Sequence, residues 1–135
     1  MSHQIKKLLK VNVRVKELRP ALDFFGAAFG AKLIEDRGGA TIGDFDGATM
    51  DLGGAVFDFV APNKPGSTLA KNIEQRGQGI DSVAFEVESL DDTQAALKTH
   101  GIDVINRTEI RGNQVGFVHP KNAFGILIEL IERPK

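Results

Sequence analysis

Lys10-Val-Asn-Val-Arg-Val15 alternates strictly, with Val11, Val13 and Val15 on one side and Lys10, Asn12 and Arg14 on the other. A period of two marks a β-strand with one face on an apolar core and the other on something polar. About seventy residues later, Ser82-Val-Ala-Phe-Glu-Val87 follows the same plan. Two more pairs keep that spacing: Gly30-Ala-Lys-Leu-Ile34 with Gly101-Ile-Asp-Val-Ile105, and Val56-Phe-Asp-Phe-Val60 with Leu127-Ile-Glu-Leu-Ile131. The chain therefore reads as a duplicated module. Polar residues recur at matching places in the copies, Asp58 with Glu129 above all, which points to one cavity shared by two halves.

Between these anchors the elements follow in order. From Glu17 to Phe29 the apolar residues Leu18, Ala21, Leu22, Phe25, Ala28 and Phe29 recur at helical spacing, and Pro20 is tolerable in a first turn. Gly30 suits a left-handed helix cap. Ala31–Asp36, Gly47–Leu52 and Ala55–Val60 read as strands, and the glycines of 38–54 as hairpin turns or a mobile cleft edge. Residues 67–76 connect the copies with some helical character. Then Asp81–Val87 is a strand, and residues 89–100 a helix with Ser89 as N-cap and Asp91 and Asp92 in its first turn. Asp103–Thr108, Asn113–His119 and Gly125–Ile131 complete the second set of strands, with a hairpin turn at Arg111-Gly112.

The expected fold class is α+β: two tandem βαβββ modules forming a curled mixed sheet around a cleft, with the helices outside. One domain over residues 1–135 holds both modules, the first at about 8–61 and the second at about 81–132.

Composition excludes several functions. Seventeen Lys and Arg nearly balance eighteen Asp and Glu, so no basic footprint argues for nucleic acid. No apolar run is long enough to span a membrane, and the N-terminus lacks the pattern of a signal peptide, so a cytoplasmic location is expected. With no cysteine there is no disulfide, thiolate nucleophile or thiolate ligand. Ser82 has no histidine at a matching position to activate it, and the glycines of 38–54 lack the Lys-Ser/Thr ending of a phosphate loop.

Gly77-Gln-Gly-Ile-Asp-Ser-Val-Ala-Phe-Glu-Val87, Phe117-Val-His-Pro-Lys121 and Gly125-Ile-Leu-Ile-Glu-Leu130 carry a resemblance. In order and spacing they resemble the vicinal oxygen chelate superfamily, which includes glyoxalase I, extradiol dioxygenases and bleomycin-resistance proteins. Within it the chain is most similar to the methylmalonyl-CoA epimerases. Metal-dependent members hold a divalent ion with a His from the first strand of each module and a Glu or Gln from the last strand of one or both. Carried onto the matching motifs, those positions are Lys10, Ser82, Asp58 and Glu129. Both acids remain, but both histidines are replaced, and an ammonium at position 10 repels a cation. His3, His100 and His119 do not restore the site. No tightly bound metal and no cofactor are expected.

The resemblance implies proton transfer beside a carbonyl or acyl thioester, as in an isomerase, epimerase or lyase, here without metal. Lys10, Asp58 and Glu129 are the candidate catalytic residues. Lys10 would stabilise a developing oxyanion, and Asp58 or Glu129 would act as general base. Asn12, Arg14, Ser82 and Glu86 are the candidate substrate-binding residues, with Arg14 expected to pair with Glu86. The expected partner is a small-molecule carbonyl or acyl-thioester substrate, with no nucleic acid and no membrane, and the resemblance implies a homodimer. Three other readings stay open. The same fold serves as a binding or resistance protein without chemistry. Asp58 and Glu129, with Asp81, are also suited to weak binding of a hard cation. Finally, Lys10 with an acid forms a salt bridge that replaces the metal and leaves the pocket inert.

Overall fold

A computed structural model describes residues 5–36 and 44–135. His3 and the glycines at 38, 39 and 43 lie outside these. The chain separates into two compact units. Module one is Lys10–Asp81, and module two is Ser82–Lys135 together with Met1–Leu9. The boundary falls inside strand β1 (Ile5–Arg14), which is longer than its alternating core.

Module one continues with α1 (Leu18–Phe29), β2 (Lys32–Asp36), β3 (Phe45–Leu52), β4 (Ala55–Pro62) and α2 (Thr68–Arg76). Its strands lie in the order β2-β3-β4-β1, with β4 parallel to β1 and antiparallel to β3. The valine face of β1 meets α1, as the period-two pattern requires. Val13, Leu22, Ala48, Met50 and Phe59 are buried together, with Val11, Val15, Leu18, Phe25 and Phe57 packed against them. Fully burying a side chain such as Phe59 stabilises the fold by about 1.5–3 kcal/mol. Gly30 ends α1 in the left-handed region at φ 68°, and its amide reaches the Gly26 carbonyl. Ala28 and Phe29, counted on the apolar helix face, are exposed where the helix runs past the core. The connecting segment is a true helix. Ser67 caps it by accepting from the Ala70 amide at 3.2 Å, and Ile73 is buried beneath it.

Module two repeats the plan with β5 (Gly79–Val87), α3 (Leu90–Lys98), β6 (Ile105–Ile110), β7 (Asn113–Val118) and β8 (Ile128–Glu132). Its order, β5-β8-β7-β6, is that of module one. The registers agree residue for residue: Asn12 lies beside Asp58 in β1/β4, and Ala84 beside Glu129 in β5/β8. Ser89 caps α3 by accepting from the Asp92 amide at 3.1 Å. Gly101 follows that helix at φ 75°, matching Gly30. The last strand starts at Ile128 rather than near Gly125, because a 3₁₀ turn at Pro120–Asn122 and the bonds that follow it use up residues 123–126. The fold is α+β with mixed sheets. Among the described residues, no helix is long and apolar enough to cross a membrane.

Candidate functional site

In module one the site residues follow from strand pairing. β1 and β4 run parallel with Asn12 level with Asp58, so Lys10, two residues earlier, shares the face that α1 does not cover. β3 runs antiparallel and sets Thr49 directly across from Asp58. Asp58 is 7% exposed, and a carboxylate so buried requires compensating partners. It has them on both oxygens. Lys10 Nζ donates to Oδ2 at 3.0 Å, and Thr49 Oγ1 donates to Oδ1 at 3.2 Å. Lys10 is only partly buried, so its ammonium keeps contact with solvent while its charge meets a desolvated anion. Thr49 was not among the residues singled out from sequence. A threonine in an alternating strand carries no signal until the hairpin length sets its cross-strand neighbour.

Module two places Glu129 beside Ala84 and across from Phe117. On the face away from α3, Ala84, Val115 and Ile131 are buried together, with Leu9 and Phe117 against them. Glu129 itself is 8% exposed, and Ser82 is buried at the place that Lys10 takes in module one.

Two expected binding residues are otherwise engaged. Arg14, for which a pairing with Glu86 was expected, makes its bonds within its own module. Its Nε donates to the Gly77 carbonyl at 2.8 Å, and its Nη1 donates to the Ile80 carbonyl at 3.0 Å and to Asp81 at 3.2 Å. The guanidinium thereby ties the end of α2 to β1. Glu86 is gripped by Arg133 through two bonds of 3.0 and 3.1 Å, with Lys6 at 3.9 Å. Hydrogen bonding to Arg133 holds the Glu86 carboxyl below its ordinary value; burial opposes this, and the charges of Arg133, Lys6 and Lys7 add to the lowering. Arg133 lies beyond the repeated motifs, so the sequence pattern offered no sign of it. His119 is a turn residue: its Nδ1 accepts from the Lys121 amide at 3.1 Å.

A metal does not fit this arrangement well. The Asp58 oxygen that faces Lys10 already accepts from an ammonium, and among the described residues no three His, Asp or Glu side chains gather as ligands. An open groove of about 510 Å³ along α3 and β6 is lined in part by Asp91, Lys98, Asp103 and Arg107. Those charges pair with one another, at 2.7 Å for Arg107–Asp91 and 2.6 Å for Lys98–Asp103.

Duplicated βαβββ modules with polar residues at equivalent strand positions define a class, and comparison places the chain in it. Residues 7–130 match the model of the Glyoxalase/Bleomycin resistance protein/Dioxygenase superfamily, and the chain belongs to that family. It is 22% identical to the uncharacterized protein YqjC of Bacillus subtilis (strain 168), over 95% of this chain and 93% of the relative. Among solved structures, a hypothetical protein of Bacillus halodurans C-125 superimposes with a TM-score of 0.85 at 28% identity, covering 96% of this chain and 95% of that one. The methylmalonyl-CoA epimerase of Mycobacterium tuberculosis superimposes with a TM-score of 0.82 at 26% identity, covering 97% and 90%.

Proposed function

We propose that the protein is a glyoxalase-like enzyme that moves a proton on the carbon next to a carbonyl or acyl thioester, without a metal. The observation that carries this reading is the Lys10–Asp58 pair at 3.0 Å, which sets a cation and a buried carboxylate side by side at positions that resemble the family's ligand positions. Likeness to methylmalonyl-CoA epimerases supports the substrate class.

In this mechanism the substrate carbonyl accepts a hydrogen bond from the Lys10 ammonium. Asp58 takes the α-proton, the C–H electron pair becomes part of the enolate, and negative charge gathers on the oxygen facing Lys10. Return of a proton to either face completes an isomerisation, with no net oxidation or reduction. A carboxylate has about four acceptor positions, so the bonds to Lys10 and Thr49 do not by themselves exhaust what Asp58 can accept. Glu129, its counterpart in module two, is the alternative base. Asn12 and Ser82 are proposed substrate contacts. Arg14 and Glu86 are assigned to holding the fold instead. We also expect a homodimer.

The test is uptake of deuterium from D₂O at the α-carbon of methylmalonyl-CoA and a panel of other acyl-CoA thioesters, followed by mass spectrometry. Enzyme-dependent uptake that falls at least a hundredfold in Lys10→Ala and Asp58→Asn supports the reading. Full exchange in both variants overturns the role assignment. No exchange by the unaltered protein, together with tight binding of a thioester recovered unchanged, favours a binding protein of the same fold.

A further inference from the structure

We infer that Thr49 is the positioning residue of this site: its hydroxyl sets the plane of the Asp58 carboxylate and so decides where the Lys10 ammonium points. The inference rests on the proposed function for its consequence in catalysis, but not for its geometry.

A free aspartate carboxylate turns readily about its last side-chain bond, where the torsional wells are broad. One bond to a long, flexible lysine does not stop that rotation, because the ammonium can follow either oxygen. Two bonds from opposite sides do. β1 carries Lys10 and β3 carries Thr49, and β4, with Asp58, lies between them in the strand order. The hydroxyl at 3.2 Å holds Oδ1 and the ammonium at 3.0 Å holds Oδ2, so the carboxylate is stretched across the sheet. Thr49 is short and β-branched, which suits a strand and restricts its own rotamer, so its hydroxyl is a stiff reference point.

The duplication supplies an internal control. The residue across from Glu129, where Thr49 stands in module one, is Phe117, which has no hydrogen-bond donor to offer. The hydroxyl is therefore not demanded by the scaffold.

The experiment compares Thr49→Val, which keeps shape and removes the hydroxyl, with Thr49→Ser, which keeps the hydroxyl and removes the methyl. Two readouts are taken on the full chain. The first is solvent exchange of the Lys10 ammonium protons, by ¹⁵N NMR of lysine-labelled protein assigned with Lys10→Arg. The second is α-proton exchange of methylmalonyl-CoA, resolved into kcat and KM. We expect faster ammonium exchange in Thr49→Val and restored protection in Thr49→Ser. We expect kcat to fall about tenfold in Thr49→Val with KM within about twofold, the pattern of an interaction used mainly in the transition state. Unchanged ammonium exchange in Thr49→Val overturns the inference, as does a serine variant as impaired as the valine one. If no proton exchange is found even in the unaltered protein, the proposed function fails, and the ammonium readout still decides whether Thr49 positions the pair.

Discussion

Modules one and two share a strand order and a register, yet they set different neighbours beside their buried acids. Asp58 is held from both sides, by a lysine and a threonine on the flanking strands. Glu129 stands between Ala84 and Phe117, with Val115 and Ile131 buried on the same face. The same backbone therefore sets a threonine across from the acid in one copy and a phenylalanine across from it in the other. Duplication conserved the pairing geometry and left the residues of one face free to diverge. In the helices the contrast is reversed. α3 has a serine cap and two acids in its first turn, whereas Glu17 before α1 makes no side-chain capping bond.

The strongest way to break this comparison is to remove each acid in turn. Asp58→Asn is expected to lower α-proton exchange of an acyl thioester by about 10²–10⁴-fold, and Glu129→Gln by less than tenfold, since general acid–base groups contribute on that scale. The reverse ranking in steady-state rates would move the base to module two.

A second contrast concerns packing. Ala48 and Gly116 occupy equivalent places in β3 and β7. A Cβ added at Gly116 would lie 2.5 Å from a methyl of Val104, in contact that no real Cβ makes. Gly116→Ala is expected to destabilise the protein by about 1–3 kcal/mol through overpacking, read from urea denaturation midpoints. Ala48→Gly should cost about 1 kcal/mol, from lost burial and added chain entropy.

Caps provide a third. Ser89→Ala should cost about 1 kcal/mol, because the Asp92 amide loses its acceptor, while Glu17→Ser should stabilise by a few tenths to 1 kcal/mol. Thermal midpoints that moved in the same direction for both would contradict the assigned asymmetry.

The smallest effect is expected at low pH. Folding lowers the Glu86 pKa below its ordinary 4.5, so the unfolded chain binds that proton more readily than the folded one. The stabilisation is complete above 4.5 and is lost as pH falls through the lower folded value. Arg133→Met should therefore lower stability at pH 7 and flatten its fall below that point. Denaturation curves at pH 7 and at intervals below pH 5 measure both. An unchanged acid limb would show that Arg133 is not what holds the proton off.

Much of the fold was legible because both of its periods are strong. The valines of β1 name their own face, Gly30 and Gly101 mark two helix ends, and Ser89 announces a start. What escaped depended on pairing across a distance. The partners of Arg14 are carbonyls and an acid at positions 77–81, reached only once α2 turns the chain back. Thr49 meets Asp58 because the β3/β4 hairpin closes at Gly53-Gly54, both with positive φ, and a hairpin one residue longer would present a different neighbour. The α2 helix read only as a connection with some helical character, since its single buried residue is Ile73.

One further consequence lies in the pleat of β4. Phe57 and Phe59 face α1 and join an aromatic cluster with Phe25, at centroid distances of 6.3 and 5.2 Å, while Asp58 between them faces the other way. Adjacent letters of the sequence thus answer to separate selection pressures, one for stability and the next for chemistry. A library that varies positions 10, 12, 49 and 58 together would explore new reactivity while leaving every aromatic anchor in place, which makes this half of the molecule a natural starting point for directed evolution.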